Sequence, residues 1–252
     1  MPTFFVEAAD TRVGDVLEIS GDDAWHLAKV LRLGRGATIT LVPAVGTECD
    51  ALVEQVGPDR VLARVLAVCA CSREPRANLH VVQAIPKGTG MAEVCERLAE
   101  LGARSIWPVV TERTVPKLER ERAQARQLRW ERVAKEAAQL SRRHRAPTVH
   151  GPRLLTEAVA ELRHREPACQ WLICDQPAAE ASLSSVPWSP DRPTAIVVGP
   201  EGGLSPTEIE AMLGNGAAVV SLGPRNLRTL LAATVAVAVL LHRSGDLETN
   251  RP

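Results

Sequence analysis

Apolar residues in the first 72 positions come in short bursts: Phe4-Phe5-Val6, Val16-Leu17-Glu18-Ile19, Thr38-Ile39-Thr40-Leu41-Val42 and Val61 to Val68. Gly-Asp, Gly-Thr and Gly-Pro-Asp turns separate them, and bursts of this length between turn residues predict β-strands. One stretch breaks the rhythm. Asp22 to Leu33 carries Leu27, Val30 and Leu31 behind an acidic start, which predicts a helix. Several short strands with one helix predict a small barrel. The polar run 73–78 predicts a linker.

From residue 79 the pattern alternates between strand and helix. Leu79 to Ile85 is a continuous apolar run, then Met91, Val94, Leu98 and Leu101 recur at helical spacing and Gly102 follows as a C-terminal cap. Ile106 to Val110 makes the next strand, so this is a βαβ unit and the sheet should be parallel. Trp171–Cys174, Ala195–Val198 and Val219–Leu222 extend the pattern as further strands. Leu230 to Leu241 is apolar on every face, a helix for the centre of a core or a subunit interface. At 12 residues it is too short to span a bilayer. Two domains are expected, 1–72 and 73–252.

Composition narrows the picture. The 30 Lys+Arg balance the 30 Asp+Glu, which removes any global pull toward polyanions. Aromatics are 3% with no Tyr, against a surface of many stacked rings; the five scattered tryptophans read as packing residues. The six cysteines form no CxxC pair, only Cys69-x-Cys71, so no metal is expected. No basic-then-apolar leader opens the chain, so a cytoplasmic protein with free thiols is expected. Neutrality breaks locally between Glu112 and Arg153, where 12 Lys+Arg face 5 Asp+Glu, net +7. That segment suits a phosphate backbone or, with Glu131 and Lys135 at i,i+4, a solvated helix. Arg142-Arg143-His144-Arg145, lacking acidic neighbours in sequence, tilts the reading toward RNA.

Candidate chemistry sits in two strand–turn–helix segments. The strand ending at Gly199 runs into Pro200-Glu-Gly-Gly203, and Ser205-Pro206-Thr-Glu208 then starts a helix with a complete capping box. Glycines there let backbone approach a ligand, and in a parallel sheet such turns lie where ligands bind. The spacing is neither Walker A nor Gly-x-Gly-x-x-Gly. The second segment is Val219 to Thr229, with Arg225 and Arg228 projecting from a Gly-Pro turn; beside a glycine-lined pocket they suit an anion.

Gly199-Pro-Glu-Gly-Gly203 followed by Leu222-Gly-Pro-Arg-Asn-Leu-Arg-Thr229 resembles the bacterial 16S ribosomal RNA uridine N3-methyltransferases, trefoil-knotted enzymes of the SPOUT class. His26-Leu-Ala-Lys-Val-Leu-Arg32 is similar to a segment of their PUA-like domain. Ala84-Ile-Pro-Lys-Gly88, Glu100-Leu-Gly102, Glu112-Arg113 and Glu136-Ala137 match further landmarks in order. The resemblance spans nearly the whole chain. It implies a PUA-like β-barrel, a knotted parallel α/β domain, a homodimer and S-adenosyl-L-methionine. Three backbone loops would hold that cofactor: Ile173-Cys174, then Gly199, Pro200, Glu201 and Gly203, then Leu222, Gly223, Leu227 and Arg228.

The resemblance further implies RNA contacts from His26, Arg32, Lys87, Arg113, Arg142, Arg143 and Arg145, with 16S ribosomal RNA or the assembled small subunit as partner. Uracil N3 holds its proton well above neutral pH, so the proton must leave or its anion be stabilised. Arg228 is the candidate for that stabilisation with Arg225 as alternative, while Glu201 either orients its loop or accepts the proton. The chain departs from the family where Arg228-Thr-Leu-Leu-Ala232 replaces Arg-Thr-Glu-Thr-Ala, where Glu136-Ala-Ala-Gln-Leu140 replaces Glu-Ala-x-Glu-Gln, and where Gly88-Thr-Gly90 replaces an acidic-basic run. Open alternatives are a related methyltransferase with another RNA target, a catalytically weak RNA-binding homologue, and a nucleotide-binding oxidoreductase.

Overall fold

Cys49, Ala51 and Val53 fall at every second position along Thr47–Val56, and all three are fully buried, so this strand lays one face on a core. It is the centre of a five-stranded sheet in the computed structural model, which describes residues 1–248 apart from 9, 58, 116–119 and 180. The strands are β1 (Thr3–Phe5), β2 (Val16–Ser20), β3 (Thr38–Ala44), β4 (Thr47–Val56) and β5 (Arg60–Ala70), in the order β1-β3-β4-β5-β2. β1 pairs β3 in parallel and the other pairs are antiparallel. β4 is missing from the sequence expectation because Glu48, Asp50 and Glu54 interrupt its apolar residues; its signal is alternation, not a burst. Register shifts within β4–β5 mark bulges, which bend long strands. Phe4, Ile19, Leu27, Ile39 and Leu41 fill the core.

The expected helix over Asp22–Leu33 is shorter. It comprises α1 (Gly21–Trp25) and a π-helical turn, His26–Val30, in which the Leu31 N–H donates to the His26 carbonyl at 3.0 Å. Arg32 then turns the chain out of the helix with φ at +53°.

The chain forms two compact units, Met1–Glu74 with Ala138–Ala146, and Pro75–Ala137 with the segment from Pro147 onward. The return segment brings the basic tetrad into the first unit, and the expectation that these charges lack acidic partners is corrected there. Arg143, with a side chain only 3% exposed, donates to Glu74 at 2.7 Å; the Arg145 guanidinium and the His144 backbone N–H reach the same carboxylate at 3.0 and 2.9 Å. Burial would raise the Glu74 carboxyl, but Arg143, the His144 N–H and Arg145 together hold it below its ordinary value. Glu48 accepts from Arg73, and that bond holds its carboxyl down at about 2, with His144 and Arg142 adding to it. Glu48, Cys71 and His144 thus come together, yet the Gly46 N–H donates to His144 Nδ1 at 3.0 Å. That bond leaves the ring proton on Nε2, facing Glu48, so the nitrogen has no lone pair free for a metal.

The second unit holds β6 (Leu79–Ala84), α2 (Met91–Leu101), β7 (Ser105–Val110), α3 (Arg120–Leu140), β8 (Thr148–Val149), β9 (Arg153–Leu154) and α4 (Leu155–Arg165). β10 (Gln170–Cys174), β11 (Ala181–Ser182), β12 (Thr194–Val198), α5 (Pro206–Leu213), β13 (Ala218–Ser221) and α6 (Thr229–Arg243) follow. The sheet runs β11-β13-β10-β12-β6-β7-β8, with β9 also on β7, and every pairing is parallel. β6 and β12 are buried along their whole length because helices cover both faces. Met91, Val94 and Leu98 of α2, Trp130 and Ala134 of α3 and most of α6 pack on one face; Ala158 and Leu162 of α4 and Ile209 and Met212 of α5 pack on the other. The basic segment is therefore largely a helix with one buried stripe; its Lys117 and Glu119 lie outside the described residues. Among the described residues no helix is long and apolar enough to cross a membrane.

Gly102 closes α2 at φ +105°, and a Cβ there would lie 2.2 Å from Pro75 Cγ. Gly102→Ala should lose about 2 kcal/mol or more from combined strain and collision, measured by denaturant unfolding. A loss below about 0.5 kcal/mol would show that the Pro75 ring gives way freely.

Acid should weaken this unit. His80 is buried with Nδ1 2.7 Å from Ser105 Oγ, and burial lowers its pKa to about 4. His150 stacks on Trp107 at 3.5 Å, and burial, reinforced by Arg153 and Arg165, also lowers it to about 4. Unfolded histidines take up protons near 6.5, so their contribution is whole above that pH and is lost as pH falls from 6.5 to 4. For His80 the loss is on the order of 3 kcal/mol. Thermal unfolding followed over that window should show the fall, and His80→Gln should flatten it; an equally steep slope in the variant would place the protons elsewhere.

Candidate functional site

β10 lies between β12 and β13, with Cys174 level with Val198 on one side and Val220 on the other. Three loops therefore leave the carboxyl edge of the sheet side by side, where parallel α/β sheets bind ligands. They enclose a cavity of about 760 Å³, a size suited to a cofactor. Asp175–Ala178 forms one wall, Gly199–Leu204 the second, and Leu222–Arg228 with the start of α6 the third.

The second wall is built by glycine. A Cβ on Gly199 would lie 3.0 Å from both the Gly203 carbonyl carbon and the Leu204 nitrogen, and Gly203 has φ +71°. The Gly203 N–H closes the turn on the Pro200 carbonyl at 2.9 Å. Buried Thr229 donates to the Gly199 carbonyl at 2.7 Å and accepts from Gln83 at 2.9 Å, so β6 and α6 pin this turn from beneath. Thr229 closes the Leu222–Thr229 motif in the sequence, whereas nothing in the sequence marks Gln83 as its partner. Ser205 and Glu208 form the expected capping box, with bonds of 3.2 and 2.8 Å.

Glu201 accepts from the Lys87 backbone N–H at 3.0 Å. Glu201 is exposed, and the observed bond ties its loop to Lys87. Arg113 forms part of the cavity wall and donates to the Gly202 carbonyl at 2.9 Å. In the first wall Asp175 accepts from the Ala178 N–H at 3.2 Å. Burial, aided by Asp175, pushes the Cys174 thiol up to about 12, so it stays neutral and serves as wall, not nucleophile. In the third wall Ser221 Oγ accepts from the Gly223 N–H at 3.1 Å, and Gly223 has φ +104°.

Arg225 and Arg228 are exposed at the cavity, and neither makes an ion pair among the described residues. Of the predicted cofactor residues, Cys174, Gly199, Pro200, Glu201, Gly203, Leu222, Gly223, Leu227 and Arg228 line the cavity, while Ile173 is buried beneath it. His26, Arg32, Arg142, Arg143 and Arg145 belong to the other unit. Two departures from the family pattern meet in space: a Cβ on Gly90 would lie 2.7 Å from Leu230 Cδ2. Leu230 packs on the start of α2 and Leu231 is 42% exposed, and the cavity is lined instead by their neighbours Thr229 and Ala232.

A parallel sheet covered by helices, with a glycine-walled cavity at its carboxyl edge and a small β domain before it in the chain, defines a class. The model for the RNA methyltransferase domain matches residues 72–241, and that for the RNA methyltransferase PUA domain matches residues 19–66. The chain is 33% identical over 228 residues to ribosomal RNA small subunit methyltransferase E of Mycobacterium bovis, covering 90% of this chain and 86% of that one. It is 28% identical to the Bacillus subtilis protein of that name over 97% of both chains. The crystal structure of the Neisseria gonorrhoeae protein of that name, bound to S-adenosyl methionine, aligns with a TM-score of 0.85 at 28% identity, covering 96% of this chain and 98% of that one. The chain belongs to the ribosomal RNA small subunit methyltransferase E family. That membership sets aside the oxidoreductase alternative.

Proposed function

We propose that this chain binds S-adenosylmethionine in the cavity and methylates N3 of a uridine in 16S ribosomal RNA. The observation that carries the reading is the cradle of Gly199, Gly203 and Gly223 in one cavity with two exposed arginines that have no counter-ion among the described residues. A cofactor gripped mainly through backbone needs walls without side chains, and these three positions supply them. When bound, S-adenosylmethionine supplies an electrophilic methyl group on a sulfonium. The residues of this chain do the rest. Arg228 stabilises the uracil anion as the N3 proton passes to solvent, and Glu201, held by Lys87, orients the turn. Because Leu230 and Leu231 lie off the cavity lining, their substitution favours a working enzyme over a binding relic.

The resemblance adds a trefoil knot, a cytoplasmic location and a homodimer. The dimer is supported by α6, whose Leu231, Thr234, Val235 and Ala238 form a partly exposed, mainly apolar stripe. The test is incubation of the protein with S-adenosylmethionine and small subunits lacking the modification, followed by nuclease digestion and mass spectrometry. A single N3-methyluridine is expected, and a methyl group on any other atom would replace the proposed target.

A further inference from the structure

Trp25 is 57% exposed, whereas Trp107, Trp130 and Trp171 are buried and Trp188 is half-buried. A protein with so few aromatics has little reason to leave an indole in water unless something covers it. Trp25 sits where α1 passes into the π-helical turn, and such turns recur at functional positions. Ala24 and Leu27 occupy the buried side of the element, while Val30 and Leu31 are exposed at 51% and 39%. Lys29 lies four residues on from Trp25, on the same side. Arg32 follows in a left-handed conformation at φ +53°, which non-glycine residues adopt at a cost, and Arg35 comes next. These three cations are exposed and make no ion pair among the described residues. The acids of the element, Asp22 and Asp23, fall in its first turn, and Asp23 accepts from Gln139.

An exposed indole on an element followed by three exposed cations without ion pairs among the described residues is complementary to a single-stranded polyanion that carries bases. We infer that Trp25 stacks on an unpaired base of the RNA substrate while Lys29, Arg32 and Arg35 hold the flanking phosphates. The inference rests on the reading of the chain as a ribosomal RNA methyltransferase and adds the residue that grips the strand by its base. A protein partner would have less use for three such cations.

The experiment measures binding of the full chain to single-stranded polyuridylate, to an RNA duplex and to small ribosomal subunits. Trp25→Ala should weaken the single strand by about tenfold or more, Trp25→Phe should recover most of it, and the duplex should respond little. Because Trp25 carries no charge, its removal should leave the dependence of affinity on salt unchanged, whereas Arg32→Ala and Arg35→Ala should each reduce that slope by about 0.7. Wild-type tryptophan emission should be quenched by polyuridylate, and Trp25→Phe should abolish the quenching. Methyl transfer to subunits should show a raised KM at kept kcat in Trp25→Ala. Unaltered affinity and unaltered quenching in the variants, with methyl transfer intact, would overturn the platform and leave the enzymatic reading standing. Wild-type protein that transfers no methyl group would instead sink that reading. A Trp25→Ala effect on sedimentation without one on RNA affinity would assign the surface to a second copy and overturn the inference.

Discussion

Arg228→Ala is expected to lower turnover on small subunits by about 10²–10³-fold, the loss typical when a group aimed at developing charge is removed from an active site. Arg228 leads into α6 with extended backbone, φ −60° and ψ 147°, and lines the cavity without an ion pair among the described residues. Negative charge spreads over the uracil ring once N3 loses its proton, and a planar donor fork matches the ring's two carbonyl oxygens better than a point charge does. Arg228→Lys should therefore recover only part of the rate. Affinity for S-adenosylmethionine should change far less than turnover, because in the proposed site the cofactor is held mainly through the glycine turns. Raising the pH should narrow the gap between variant and wild type, since solvent then assists removal of the N3 proton. Calorimetric titration with the cofactor and single-turnover methylation over a pH series would check all of this. Were Arg225→Ala to cost more turnover than Arg228→Ala, the two arginines would exchange roles.

Glu74→Ala should cost about 3–5 kcal/mol of stability, the penalty typical of stranding one member of a buried ion pair. Arg143 and Glu74 are 3% and 5% exposed, and the carboxylate also takes the Arg145 guanidinium and the His144 N–H. Removing it leaves a guanidinium with almost no access to water. Glu74→Leu combined with Arg143→Met should recover most of the loss, because two apolar side chains of similar volume strand no charge. Lowering the pH should have a milder effect of the same kind. Glu74 and Glu48 have depressed values, so their contribution is complete above about 4.5 and fades as acid protonates them, for Glu48 toward about 2. Denaturant unfolding of the single and double variants reads out the pair. A Glu74→Ala loss under about 1 kcal/mol would show that water reaches Arg143.

The candidate site was legible in the sequence to the extent that its chemistry is local. Gly199 to Gly203 announces a turn without Cβ atoms, Ser205 to Glu208 announces the helix behind it, and Leu222 to Arg228 repeats the arrangement. Each is a run of consecutive residues whose conformational demands can be stated one by one. The parallel sheet was legible for the same reason, since continuous apolar runs alternating with helical spacing have few other solutions. What escaped was long-range or finely balanced. β4 hid behind its charged residues, and Asp22–Leu33 read as one regular helix although its second half winds as a π-turn. The tie from Gln83 through Thr229 to Gly199 joins residues far apart in the chain.

The sequence by itself determined the periodic pattern, the positions that only glycine can fill, the caps and the net charge of each segment, because these follow from the backbone and from neighbouring residues. Tertiary structure alone decided which charges are spent and which are free. Arg142, Arg143 and Arg145 look like open cations in a string of letters; folding places carboxylates from some 70 to 95 residues away against them, Glu74 against Arg143 and Arg145 and Glu48 against Arg142. Lys29, Arg32 and Arg35 look no different, yet folding leaves them exposed and without an ion pair among the described residues, on the segment that carries exposed Trp25. Coulomb energy and desolvation depend on distance through space and on access to water, and neither is written in the order of residues.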